Sequence, residues 1–118
     1  MDRMLKKELQ RLFSLEGVNM ALVIDPEGRV SEEIGAASID GNQLAAVVSF
    51  VMAESKTMAT RLGHEQISMV FVEFRDMALL LFPLKKYYFL LLITHPSANI
   101  GQISYELKKN QEHICSLL

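Results

Sequence analysis

The chain has 118 residues, half of them hydrophobic and 22% charged, with a net charge of −2 at pH 7. That length fits one domain, 1–118, and the composition is globular rather than disordered. It excludes a membrane-spanning chain, since no apolar run approaches the ~20 residues of a span, and it speaks against nucleic acid, which calls for a basic stripe to displace counterions.

Residues 2–15 read as a helix, with Leu5, Leu9 and Leu12 on one stripe and Gly17 as its end. Residues 18–25 read as a strand, Pro26-Glu27-Gly28 as a turn and 29–36 as the returning strand. Glu32 and Glu33 inside that second strand suit a sheet edge, where charge opposes unwanted pairing. Residues 40–62 form the longest element, with Asp40 as N-cap, Gln43 completing a capping-box-like pattern and Gly63 as the stop.

Three strands come next, over 65–75, 77–82 and 87–94, joined by turns at Asp76 and Lys85-Lys86. Short turns make them an antiparallel meander. His95 to Asn99 breaks the pattern, Asn99 is the cap of the closing helix, and 100–118 is read as that helix in one piece. The order is α-β-β-α-β-β-β-α. The first, fourth and fifth strands are apolar on both alternating faces, so helices must cover both sides of the sheet. The expected fold class is α+β, an α/β sandwich: a five-stranded antiparallel sheet with two helices on one face and the long helix on the other.

The long helix carries more apolar surface than a solvated helix needs. Leu44, Ala45, Val47, Val48, Val51, Met52, Ser55, Met58, Ala59 and Leu62 fill an arc of about 160° that is expected to face the sheet. Behind it stand Ala46, Ser49, Phe50, Ala53, Thr57 and Thr60, where an ordinary back face would carry Lys and Glu pairs. Burying Phe50 is worth ~1.5–3 kcal/mol, so this face predicts a helix–helix contact. The third strand points the same way. Placed at the sheet edge, Ile67, Met69, Val70, Phe71 and Val72 would leave it apolar and unprotected. Pairing that edge with a second copy across a two-fold axis would also bring two long helices side by side. The expected self-association residues are therefore Ala46, Ser49, Phe50, Ala53, Thr57, Ile67, Met69, Val70, Phe71 and Val72.

No catalytic chemistry is visible. His64, His95 and His113 lack ligand spacing with Cys, Asp or Glu, so no metal is expected. The carboxylates form no catalytic pair, and no Walker loop, Gly-x-Ser-x-Gly or Gly-x-Gly-x-x-Gly occurs. The expectation is a binding protein without enzymatic activity and without a cofactor. Cys115, the only cysteine, allows no intrachain disulfide, and the N-terminal residues show no apolar h-region. Both point to the cytoplasm.

The segment Ala21-Leu22-Val23-Ile24-Asp25-Pro26-Glu27-Gly28-Arg29-Val30, the long helix, and Ala98-Asn99-Ile100-Gly101 leading into Gln102-Ile103-Ser104-Tyr105-Glu106-Leu107 resemble the roadblock family of dynein light chains and their prokaryotic relatives. In that family an apolar strand with an Asp-x-x-Gly turn, a long helix and an Ala-Asn-Leu-Gly helix start occur in this order. The resemblance implies a homodimer or pseudo-dimer built through the long helix and third strand, and a regulator or scaffold of Ras-like small GTPases. The gliding-motility member is a GTPase-activating partner, so modulation of GTP hydrolysis or localisation is implied. A passive scaffold or motor-complex light chain is the alternative, and a small-molecule sensor is the third reading. The GTPase would dock on the exposed ridge near Glu54, Thr57 and Arg61. The acidic pair Glu32-Glu33 departs from the family pattern.

Overall fold

The computed structural model describes residues 2–35, 39–64 and 66–118. Helix α1 (Asp2–Phe13) leads into strands β1 (Val18–Ile24) and β2 (Val30–Gly35), then helix α2 (Gly41–Arg61). Strands β3 (Val70–Glu73), β4 (Ala78–Pro83) and β5 (Phe89–Thr94) come after it, with a 3₁₀ turn at Lys85–Tyr87, and helices α3 (Ile100–Lys109) and α4 (Gln111–Ser116) close the chain. All five strands join in one antiparallel sheet of order β2-β1-β5-β4-β3. The expected α+β sandwich, its meander and its two edge strands are all present.

The central strands are the ones apolar on both alternating faces, and the reason is cover on both sides. Ala21, Val23, Leu80, Leu90 and Leu92 point into a core closed by Leu5, Leu9 and Leu12 of α1, Ile103 and Leu107 of α3 and Ile114 of α4. Leu22, Ile24, Leu79, Leu81, Leu91 and Ile93 point the other way, onto Ala45, Val48 and Met52 of α2. One strand thus feeds two cores by simple alternation. At the β2 edge the two glutamates part. Glu32 lies 3.6 Å from Lys6 of α1, while Glu33 approaches Gly41 at the start of α2 so closely that a Cβ there would meet its carboxylate at 2.7 Å.

Asp40 and Asn99 cap their helices as expected, while among the described residues no bond returns from the Gln43 side chain to the Asp40 N–H, so the capping box is half made. The Asp40 carboxylate accepts from the N–H groups of Asn42 and Gln43, and Asn99 accepts from Gln102 N–H. Past α2, Gly63 takes φ +82°, and Gly63 and His64 donate to Thr60 and Ala59 carbonyls. That pair of bonds is the Schellman stop, which a left-handed glycine permits. In the β1–β2 turn, Asp25 Oδ1 accepts from the N–H groups of Glu27 and Arg29 at 2.9 Å each.

Two expected elements differ. The third strand was expected over 65–75 but spans only Val70–Glu73: its pairing with β4 begins at Val70–Leu81, short of Pro83, which has no N–H to offer a ladder, and beyond Glu73 the Phe74 N–H already closes the turn on Met77. The final helix was expected as one piece over 100–118 but breaks at Asn110, whose amide donates to the Glu106 carbonyl at 2.8 Å. Asparagine competes for helix carbonyls in this way. Ala36 and Glu65, which the expected strands included, and Ser38, next to the expected cap, lie outside the described residues.

Candidate partner-binding surface

Helix α2 lies over one face of the sheet with Ala45, Val48 and Met52 inward. Its two flanks meet different neighbours. On one flank, Ser49, Ala53 and Lys56 share a cleft with Asp25, Pro26 and Tyr87, at the β1–β2 turn. On the other, Leu44 shares a cleft with Phe74, Met77 and Leu79, at the β3–β4 turn.

This orientation corrects the expected sheet-facing arc. Val47, Met58 and Leu62 were expected against the sheet, yet they are 62%, 59% and 69% exposed. At about 100° per residue they fall on the β3-side flank, together with the half-buried Leu44 and Val51. The helix packs closest to β1 and β2, away from the β3 edge, so the sheet does not cover them. The apolar flank therefore overlooks the β3 edge, whose Val70 and Val72 are half-buried on the same face of the sheet. Leu44 and Val51 of the flank pack against the same cluster as Val70 and Val72 of the strand, so helix flank and strand edge make an apolar step over one core.

The other expected interface residues divide. Ala46, Phe50 and Thr57 are exposed, with Phe50 at 67%, on the crest pointing away from the sheet, and the exposed Ala53 stands where the crest meets the hairpin-side flank. Ser49 is turned inward instead: its Oγ lies 3.3 Å from where a Cβ on Gly28 would sit and is buried without a hydrogen-bond partner. Ile67 and Met69 are half-buried and precede the paired part of β3, and Met69 and Phe71 belong to the opposite sheet face from Val70 and Val72. Glu54, Thr57 and Arg61, the expected GTPase contacts, are all exposed along the crest. The crest is less polar than its composition suggests. Thr57 and Thr60 hydroxyls donate to their own helix carbonyls at 3.2 and 3.1 Å, which leaves their methyl groups outward.

The three histidines stay apart. His95 Nδ1 is 2.7 Å from Ser97 Oγ, His113 lies 3.7 Å from Glu8, and His64 sits just past the end of α2. Among the described residues no group of three or more His, Cys, Asp or Glu could hold a metal ion, and no helix is long and apolar enough to cross a membrane. Sequence reasoning missed Val47, Met58 and Leu62 as surface residues. The signal was present: an apolar arc of about 160° exceeds the roughly 100° stripe that one packed face requires.

A sheet of this order, flanked by α1, α3 and α4 on one face and a long helix on the other, with an open apolar edge, has a matching family model, Roadblock/LC7 domain, over residues 4–94. The chain belongs to the Roadblock/LC7 family. Among solved structures, this roadblock chain is similar to MglB of Myxococcus xanthus, with a TM-score of 0.89 at 17% identity, covering 97% of this chain and 94% of that one. It is similar to the gliding protein MglB of Thermus thermophilus, with a TM-score of 0.85 at 20% identity over 98% and 88% of the two chains. An MglB described as having a tetrameric arrangement superposes with a TM-score of 0.89 at 20% identity, again over 98% and 88%. At these identities the likeness is one of fold. No curated protein matches the chain.

Proposed function

We propose that this roadblock protein works in the cytoplasm as a homodimer that binds a Ras-like small GTPase and modulates its GTP hydrolysis or localisation. The observation that carries the reading is the apolar step made by the α2 flank and the free β3 edge. Val47, Val51, Met58 and Leu62 beside Val70 and Val72 are too contiguous an apolar surface for a stable monomer to leave in water. A second copy pairing β3 to β3 removes the strand edge and covers the flank in one operation. Ile67, Met69 and Phe71 lie at the margin of that contact.

With the flank covered, the two crests stand side by side. Phe50, between Ala46 and Ala53 and near Glu54, Thr57 and Arg61, is then the largest apolar side chain on that ridge. In this reading Phe50, which the sequence pattern assigned to self-association, anchors the GTPase, since a central aromatic ringed by small and polar groups is the usual anatomy of a binding hot spot. The chain supplies no catalytic group. Its effect is to favour one conformational state of a GTPase that owns the chemistry.

The test is single-turnover GTP hydrolysis by a small GTPase encoded beside this chain, with and without the purified protein. Acceleration that is lost in Phe50→Asp supports regulation. A stable complex with unchanged turnover reduces the role to scaffolding, and neither binding nor stimulation refutes the reading.

A further inference from the structure

The connection between β4 and β5 lies beyond the C-terminal end of the crest, where its cleft is bordered by Thr60 and Ile67. Lys86 (φ 59°, ψ 32°) and the adjacent Tyr87 (φ 67°) both occupy the left-handed region, and neither is glycine. L-residues are disfavoured there, and two in succession at a chain position that glycine could fill is a strained arrangement held by its surroundings. The strain presents Tyr87 outward: at 75% it is the most exposed large aromatic or aliphatic side chain among the described residues. Lys56 of α2 places its Nζ 5.0 Å from the Tyr87 ring centroid, a cation–π contact that fixes the lysine in place.

Two open clefts meet at this Lys56–Tyr87 pair. One, of about 420 Å³, lies toward Pro26, Met52 and Phe89 and includes Ser49, whose buried Oγ has no hydrogen-bond partner. The other, of about 600 Å³, runs past Thr60, Gln66, Lys85, Lys86 and Gln111. Lys56, Lys85 and Lys86 thus bring three ammonium groups to one corner, and none of them makes an ion pair among the described residues. The carboxylate of Asp25 on the near hairpin is already held by two backbone N–H groups.

We propose that this corner binds an acidic segment of a partner protein, its carboxylates on Lys56, Lys85 and Lys86 and its backbone laid across the Tyr87 ring. The clefts are open troughs, so they suit an extended chain better than a small molecule, which a pocket must enclose. A nucleic acid calls for a basic stripe longer than the three lysines gathered here. An anionic bilayer would meet Asp25 and Glu27 on the adjoining hairpin. A segment threaded along the larger trough reaches all three lysines and keeps clear of Asp25, which lines only the other cleft.

The experiment is fluorescence anisotropy of a fluorescein-labelled peptide of alternating glutamate and alanine, with its glutamine counterpart as control. The wild-type protein should bind the glutamate peptide alone, more weakly as salt rises. The double substitution Lys85→Glu with Lys86→Glu should weaken binding by about tenfold or more, since it replaces charge-assisted hydrogen bonds by repulsion. Lys86→Gly should raise the melting temperature by relieving the left-handed residue, yet weaken the peptide. No peptide binding by the wild type, or unchanged binding by the folded charge-reversed protein, overturns the proposal. So does peptide binding that inorganic phosphate abolishes, or capture of these lysines by phosphatidylserine vesicles in preference to the peptide.

Discussion

Replacing Met58 by lysine separates self-association from folding. The side chain is 59% exposed in the single chain, so its contribution to the monomer core is small and most of its transfer free energy is available to a partner. Taking ~1–2 kcal/mol for that remaining burial, a two-fold dimer loses it twice, about 2–4 kcal/mol in all. At 1.4 kcal/mol per factor of ten, the dissociation constant should rise roughly thirtyfold to a thousandfold. The monomer should not suffer. Glu54 lies four residues N-terminal to position 58 on the same helix, and a Glu-to-Lys pair at that spacing stabilises a helix by about 0.2–0.5 kcal/mol. Sedimentation equilibrium across a concentration series reads the association, and a thermal melt at a concentration where both proteins are monomeric reads the fold. A Met58→Lys protein that dimerises as tightly as the wild type, with its fold intact, would refute the assignment of the α2 flank to self-association.

Gly17→Ala should destabilise the fold by about 1–3 kcal/mol, because Gly17 holds φ +91° and a Cβ there would sit 2.5 Å from Ala98 Cβ; a urea titration measures it, and Ala98→Gly should restore only the steric part. Asp40→Ala removes the acceptor for Asn42 and Gln43 N–H groups and should cost about 1 kcal/mol, seen as a lower denaturation midpoint with an unchanged slope. Leu92→Ala, at a fully buried position of β5, should cost about 2–5 kcal/mol, a large share of the ~5–15 kcal/mol expected for the whole domain; retention of near-wild-type stability by chemical denaturation would show that the core on the α1 side can collapse around the loss.

The order of elements, the caps and the fold class were legible because they rest on local chemistry. Asp40 and Asn99 cap because a short carboxylate or amide reaches the next N–H groups, whatever lies across the chain. Gly63 stops α2 because a left-handed residue is needed there. β1, β4 and β5 read as doubly covered because both alternating faces are apolar, with Asn19 and Thr94 the only polar residues in them. Periodicity also established that α2 has a surplus of apolar surface. Where that surplus points is a different matter. The flank with Val47, Met58 and Leu62 is exposed because α2 lies nearer the hairpin than the β3 edge, an offset that no spacing within the helix records. The same offset turns Ser49 inward and lifts Phe50 onto the crest. The length of β3 was likewise set by the strand beside it, which pairs only with Val70–Glu73 before the chain turns at Phe74, and the clustering of Lys56 with Lys85, Lys86 and Tyr87 by the crossing of a helix over a turn distant in sequence. Residue order alone thus dictates which elements form, and that one helix and one strand are too apolar to stand alone. Which side of each stays open is a matter of packing, because it depends on where the helix lies across the sheet.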